Sequence, residues 1–266
     1  FFRTTHFWGW REIMRTIAVV NQKGGVGKTT TAMKLAAYLG HLGKNCLLVD
    51  LDPQANATSG LGFNPSELEH GVYEVLAGRV NLHDATKKPE AHPFSLLPAT
   101  IALAGANVEL VGIDQREYQL AKAFEKVKND FDIILIDCPP SLGLLTINGL
   151  VAADSVLIPV QAEYFALEGI GQLMETINLV KEHLKADLEI LGAVITMYDR
   201  RYKLSTSVLM ELYRHFPQKI FRTVIPRNIR LAEAPSHGKT ILHYSSDSRG
   251  ARAYERLARE FLSLRT

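Results

Sequence analysis

No stretch of this 266-residue chain constrains its fold more than Asn21-Gln22-Lys23-Gly24-Gly25-Val26-Gly27-Lys28-Thr29-Thr30. It follows an apolar, β-branched run (Ile17, Ala18, Val19, Val20) and opens a helical pattern from Thr29 to about Leu42. A strand, a glycine-rich turn and a helix N-terminus together make a phosphate cradle. N–H groups of the turn point inward, and the helix dipole adds partial positive charge. Lys28 supplies a full charge for β- and γ-phosphates, and the Thr29 hydroxyl is placed to ligate Mg²⁺. Lys23, Gly24, Gly25, Val26, Gly27, Lys28, Thr29 and Thr30 are therefore the expected phosphate-binding residues.

The usual pattern G-x-x-x-x-G-K-[ST] wants glycine where this chain has Gln22, and a second lysine, Lys23, stands five residues before Lys28. Both lysines cannot easily serve the same phosphates from one subunit. The economical reading is that Lys23 reaches a neighbour's nucleotide, so that ATP bridges two chains. This arrangement resembles the deviant Walker A ATPases, the group that includes the ParA/Soj and MinD proteins.

Around the cradle, the rhythm from Thr16 onward is strand, helix, strand, helix. Strand candidates are Ile17–Val20, Cys46–Val49, Phe94–Leu97, Ile133–Ile136, Val156–Val160 and Ile190–Thr196, with a short one at Ile220–Val224. Helical patterns cover Thr29–Leu42, Tyr73–Leu76, Ala102–Val111, Glu117–Lys128, Leu144–Ala152, Ala166–His183, Thr206–Arg214 and Gly250–Leu264. Near-continuous Val/Ile/Leu strands are those buried on both faces. The expected fold class is therefore α/β: a single doubly wound, mostly parallel sheet with helices on both faces, of the P-loop type, with ligands beyond the strand C-termini. Residues 15–266 read as one domain. Residues 1–14 read as an N-terminal extension, with Met14 a natural start. An interfacial anchor built on Trp8 and Trp10 is the alternative for that segment.

Composition supports a globular chain: 47% hydrophobic, 22% charged and two cysteines, Cys46 and Cys138, both inside apolar runs. Buried thiols are the expectation there, in a reducing compartment. No apolar run approaches the roughly 20 residues of a membrane span. The net charge of +2 is unevenly spread: residues 196–266 carry 14 Lys+Arg against 6 Asp+Glu. Such asymmetry suggests a surface for a polyanion.

Three carboxylates complete the expected chemistry. Asp50 and Asp52, one residue apart at the end of the second strand, lie on the same side of it, where Mg²⁺ and an attacking water need placing. Asp137 closes the run Ile133-Ile134-Leu135-Ile136, the arrangement in which a carboxylate and the cradle threonine hold the metal. Pro139-Pro140 would stiffen a switch that follows it. No His pairs with a Ser or Cys at a recognisable spacing. The sensible reaction is attack of water on a γ-phosphate, driven by positioning and charge neutralisation.

The C-terminal part, with Thr196-Met197-Tyr198-Asp199-Arg200-Arg201-Tyr202-Lys203-Leu204 and Thr223-Val224-Ile225-Pro226-Arg227-Asn228-Ile229-Arg230, resembles the small chromosomal ParA/Soj proteins. So do Pro98-Ala99-Thr100, Asp137 to Thr146, and Ala166-Leu167-Glu168-Gly169. The resemblance implies a slow ATPase using ATP and Mg²⁺, with Asp52 orienting the hydrolytic water, Asp50 supporting Mg²⁺, and Pro226 and Asn228 near the nucleotide base. It also implies an ATP-dependent homodimer that binds double-stranded DNA non-specifically through Arg201 and Arg230. Lys203 and Arg227 are added on charge alone. A ParB-type centromere-binding partner would stimulate hydrolysis, and the location would be cytoplasmic, on the nucleoid. The alternative is a MinD-like, membrane-cycling regulator of division-site placement. That reading needs an amphipathic C-terminal anchor, whereas the apolar stripe of residues 248–266 is better explained as packing on the sheet.

Overall fold

The computed structural model describes residues 14–90, 92–163, 168–199, 201, 210, 212–213, 216–217 and 219–264. Six strands, β1 (Arg15–Val19), β2 (Cys46–Asp50), β3 (Ser95–Leu97), β4 (Ile133–Asp137), β5 (Ser155–Gln161) and β6 (Glu189–Thr196), form one sheet. Its order is β3-β2-β4-β1-β5-β6, and every pairing between these strands is parallel. The expected doubly wound sheet is present.

Strand alternation sorts the core into two layers. Ile17 and Val19, Cys46 and Leu48, and Ile133 and Leu135 face α1 (Lys28–His41) and α4 (Arg249–Ser263). Ala18 and Val20, Leu47 and Val49, and Ile134 and Ile136 face the opposite layer, which includes α2 (Leu144–Ala152) and α3 (Glu168–His183). Period-2 alternation between two apolar layers is the physical reason these strands lack polar faces.

The seventh strand expected at Ile220–Val224 does not form. Ile220 makes only an isolated bridge to Ala193, and Ile225 N–H rejoins β6 at the Ile195 carbonyl, 2.8 Å away. Between them the N–H groups of Arg222 and Thr223 donate to the Glu260 carboxylate of α4, at 2.6 and 2.9 Å. A side chain from the packed helix thus takes the donors that a ladder would need.

The helix expected over Ala102–Val111 is likewise broken into short turns, Ile101–Gly105, Ala106–Glu109 and Leu110–Gly112. Gly105 weakens its centre, and the segment has apolar residues all round: Leu103 and Leu110 are buried while Ile101, Val108 and Val111 are exposed. Glu117–Lys128 shortens to a regular helix over Gln119–Glu125. Residues 1–13, Ala166, Leu167, Lys203 and most of the helix expected over Thr206–Arg214 lie outside the described residues.

One feature of α1 runs against its setting. Lys34 is fully buried, and its ammonium donates to the Lys239 carbonyl at a long 3.5 Å. Burial lowers its pKa to about 7. The folded state therefore binds this proton less tightly than the unfolded chain. The penalty is fully present below about pH 7 and fades as pH rises toward the unfolded value. At about 1.4 kcal/mol per pKa unit, Lys34→Met is expected to stabilise the protein at neutral pH by a few kcal/mol. That gain should shrink between pH 7 and 10, as measured by denaturant unfolding across the range.

Candidate nucleotide-binding site

In this strand order β4 and β5 flank β1, so the chain leaves β1 at the point where the winding reverses. Such a crevice lies open at the strand C-termini, and residues 20–27 fill it as a loop. Gly25 and Gly27 hold φ of 77° and 90°, a left-handed geometry that Cβ-bearing residues resist. Asn21 pins the loop by donating to the Pro159 carbonyl (2.7 Å) and accepting from Lys23 N–H (3.0 Å). At the other end the Thr196 hydroxyl, at the tip of β6, donates to the buried Val26 carbonyl at 2.7 Å.

The helix that follows is built to receive an anion. α1 begins at Gly27 with no side-chain cap and no acidic residue in its first turn. Its first N–H groups are therefore left for a ligand. Lys28 is buried beneath the loop and donates to the Lys23 carbonyl at 3.3 Å. Desolvation lowers its pKa, opposed by the charges of Asp137 and Asp52.

All three expected carboxylates gather beside it. Asp50 and Asp137 are register partners on adjacent strands, and Asp137 is also opposite Val19 of β1. By parity with Leu48 and Leu135, both acids lie on the α1 side of the sheet. They do not play the same part. Asp50 accepts from Thr58 N–H (2.8 Å), Thr58 Oγ1 (2.7 Å) and Asp52 N–H (3.3 Å), which fastens the loop carrying Asp52. Burial pushes its pKa up to about 6 despite these bonds.

Asp137, also fully buried, has no hydrogen-bond partner at either carboxylate oxygen. Burial first, and then the neighbouring Asp50 charge, raises its pKa well above the carboxylate range. The nearby Thr29 hydroxyl and Lys28 act the other way. A buried carboxylate with both oxygens open, facing a threonine hydroxyl, is a donor set that fits a hard divalent cation. Asp52 is buried as well and accepts from Gln54 N–H at 2.9 Å.

Beside the loop lies a largely apolar cavity of about 410 Å³. Gly27, Thr30, Thr196, Pro226, Asn228 and Tyr254 contribute to its walls. It thus brings Pro226 and Asn228, far away in sequence, against the phosphate loop. Thr196, Thr58 and Tyr254 were not singled out in the sequence, because no local spacing marks them. Only the closing of β6 beside β5, and the packing of α4 on α1, bring Thr196 and Tyr254 to the loop.

Of the expected basic residues, Arg201, Arg227 and Arg230 are among the described residues, and Arg227 lines this cavity. Tyr198 bridges Pro226, so the segments carrying Arg201, Arg227 and Arg230 run side by side. All three arginines are exposed. Lys23 Nζ lies 3.9 Å from Glu163 Oε2, and Arg227 approaches the same carboxylate at 3.4 Å. Gly24 and Gly25 are exposed, and a Cβ added to either would meet nothing within 4 Å.

Comparison with known proteins places these features in context. A family model described as an AAA domain matches residues 14–190. The sporulation initiation inhibitor protein Soj of Bacillus subtilis is 53% identical over 92% of this chain and 97% of its own length. The chromosome-partitioning ATPase Soj of Treponema pallidum is 50% identical, with coverage of 94% and 97%. Among solved structures, a Mycobacterium smegmatis protein named cobyrinic acid a,c-diamide synthase, bound to an ATP analogue and magnesium, superposes with a TM-score of 0.83. It is 41% identical, covering 94% of this chain and 95% of that one.

The Thr196–Val26 bond gives the site a direct test. Thr196→Val keeps the volume but strands a buried carbonyl, at a cost of about 1–3 kcal/mol. It should also weaken nucleotide affinity severalfold, because the loop loses its tie to β6. Unfolding curves and titration with a fluorescent nucleotide would measure the two effects separately.

Proposed function

Because this chain belongs to the Soj/ParA family of chromosome-partitioning ATPases, we propose that it is an ATP-driven switch that moves on and off DNA. The observation that carries the ATPase reading is the unpartnered, buried Asp137 beside Lys28 and the uncapped start of α1. In this reading the N–H groups of Gly24 to Thr30 and the Lys28 ammonium bind the phosphates, and Pro226 and Asn228 flank the base. Thr29 and Asp137 would hold Mg²⁺. Asp50 supports that site from the adjacent strand through Thr58 and Asp52. Bound Mg²⁺ would neutralise charge on the phosphate oxygens. Asp52, on the loop that Asp50 fastens, orients the attacking water. In this reading hydrolysis is slow and rests on positioning.

Dimerisation is the second half of the proposal. Lys23 leaves Glu163 to reach the partner's nucleotide, and the open space at Gly24 and Gly25 receives the partner's surface. Two copies of the Arg201, Arg227 and Arg230 rim, with Lys203, then face double-stranded DNA and contact phosphates without reading sequence. A ParB-type protein stimulates hydrolysis and releases the dimer from the nucleoid.

The membrane-cycling alternative is not favoured. Ala251, Tyr254, Leu257, Ala258 and Phe261 of α4 are buried, so its apolar face is used internally. Among the described residues no helix is long and apolar enough to cross a membrane. Covalent catalysis by a cysteine is not favoured either. Both cysteines are buried with thiols pushed up in pKa, Cys46 to about 12, so neither is an activated nucleophile.

Three measurements test the proposal. With ATP and Mg²⁺, size-exclusion light scattering should show a dimer that Lys23→Ala and Gly24→Val abolish while nucleotide binding survives. Asp52→Ala should keep the dimer and lower phosphate release by about 10²-fold or more. Binding to random-sequence duplex DNA should require ATP and fall in Arg201→Ala and Arg230→Ala, each flattening the salt dependence by about two units of slope, one for each copy in the dimer. A parent protein that ignores DNA in every nucleotide state would remove the partitioning switch.

A further inference from the structure

Each described arginine assigned to DNA is already held by a carboxylate of its own chain. Arg201 makes a two-pronged pair with Asp199: Nε lies 3.0 Å from Oδ1, and Nη2 lies 2.6 Å from Oδ2. Arg230 Nη1 donates to Glu233 Oε2 at 2.8 Å, and the Tyr244 hydroxyl donates to the same oxygen at 3.1 Å. Arg227 pairs with Glu163, whose position is fixed by Gln161 Nε2 at 2.6 Å. The groups interlock: Glu163 faces both Lys23 and Arg227, and the Arg227 charge also reaches Asp199.

From this arrangement we propose that Asp199 and Glu233 are built-in competitors of the DNA phosphates, which keep the free protomer off DNA until dimerisation doubles the number of arginines. The inference rests on the DNA-binding reading above and adds how that surface is regulated.

Two physical points support it. Exposed ion pairs add little to fold stability, so holding the fold does not account for three of them on one rim. A two-pronged arginine–carboxylate pair has the same geometry as an arginine–phosphate pair, so the two acceptors exclude one another. DNA must therefore displace Asp199 from Arg201, while Glu233 competes for the one Arg230 N–H it holds, and in both cases the negative charge stays beside the phosphate. Affinity rises multiplicatively with the number of phosphates neutralised. A single masked set then binds poorly, while two sets held together by ATP bind well. Asp199 stays ionised throughout, since Arg201 pulls its pKa down to about 2.

The test uses conservative variants of the full chain. Asp199→Asn keeps an acceptor for the Arg201 N–H that Oδ1 now receives at 3.0 Å. Glu233→Gln keeps an acceptor for Tyr244. Glu90→Gln, at an exposed site before β3, controls for net charge alone. Binding to random-sequence duplex DNA would be measured without nucleotide, with ADP and with ATP, across a salt series. Asp199→Asn and Glu233→Gln are each expected to raise affinity about 3- to 10-fold without nucleotide or with ADP. The double variant should combine the gains and steepen the salt slope by about one unit per arginine released. Gains no larger than that of Glu90→Gln, in a parent that does bind DNA with ATP, would overturn the competition and leave the DNA reading standing. A parent that binds DNA in no state would instead remove the DNA reading itself.

Discussion

The structure depends on charge that has been buried at one end of the sheet. Asp50 and Asp137 end adjacent strands at the same level, and Lys28 enters from the N-terminus of α1 above them. Removing three charges from water is unfavourable unless each finds a partner. Asp50 finds three donors in the loop that follows it, and Lys28 finds a carbonyl and the field of the acids. Asp137 finds none of its own. Asp137 is fully buried where β4 ends between the apolar layers, out of reach of solvent in this structure. Its unmet demand is what would make the position a site rather than a strand end.

Other features of the nucleotide region follow from that constraint. The loop above the acids must approach closely, which Gly25 and Gly27 allow by taking left-handed geometry. It must also stay still, which the buried bonds from Asn21 and Thr196 secure from β5 and β6. The base-sized cavity then opens where β6 and the 225–232 segment pass beside the loop. In the proposed reading, phosphate and base would be recognised from opposite ends of the chain, joined by one parallel sheet.

The same rim carries the basic residues, and there the balance of charge is different. At the strand ends an acid lacks a partner. On the surface each described arginine of the rim has an acidic partner within its own chain. A buried carboxylate without a hydrogen-bond partner would draw a small cation with its nucleotide, whereas exposed, compensated cations would respond to a polyanion only when enough of them act together. Nucleotide and DNA would in this way be coupled through assembly, without any change in the fold of the protomer.

Much of this was legible in the chain itself. The period-2 apolar runs, the glycine-rich turn and acids closing two of those runs are local patterns, and local patterns determine six of the strands, α1, and the identity of Lys28, Asp50, Asp52 and Asp137. Local pattern did not decide where the edge of the sheet stops, because the donors of Arg222 and Thr223 are taken by Glu260 from a helix nearly forty residues away. Nor did it reveal Thr196 as the anchor of the loop, or the different fates of Asp50 and Asp137, two strand-end acids of the same kind. Those depend on which groups meet across the sheet, and a hydrogen bond or its absence is fixed only when distant segments pack. Sequence alone determined what chemistry the chain carries. Tertiary structure decided which acid is left open for a cation and which arginines are held by their own chain, because partners are assigned by proximity in space.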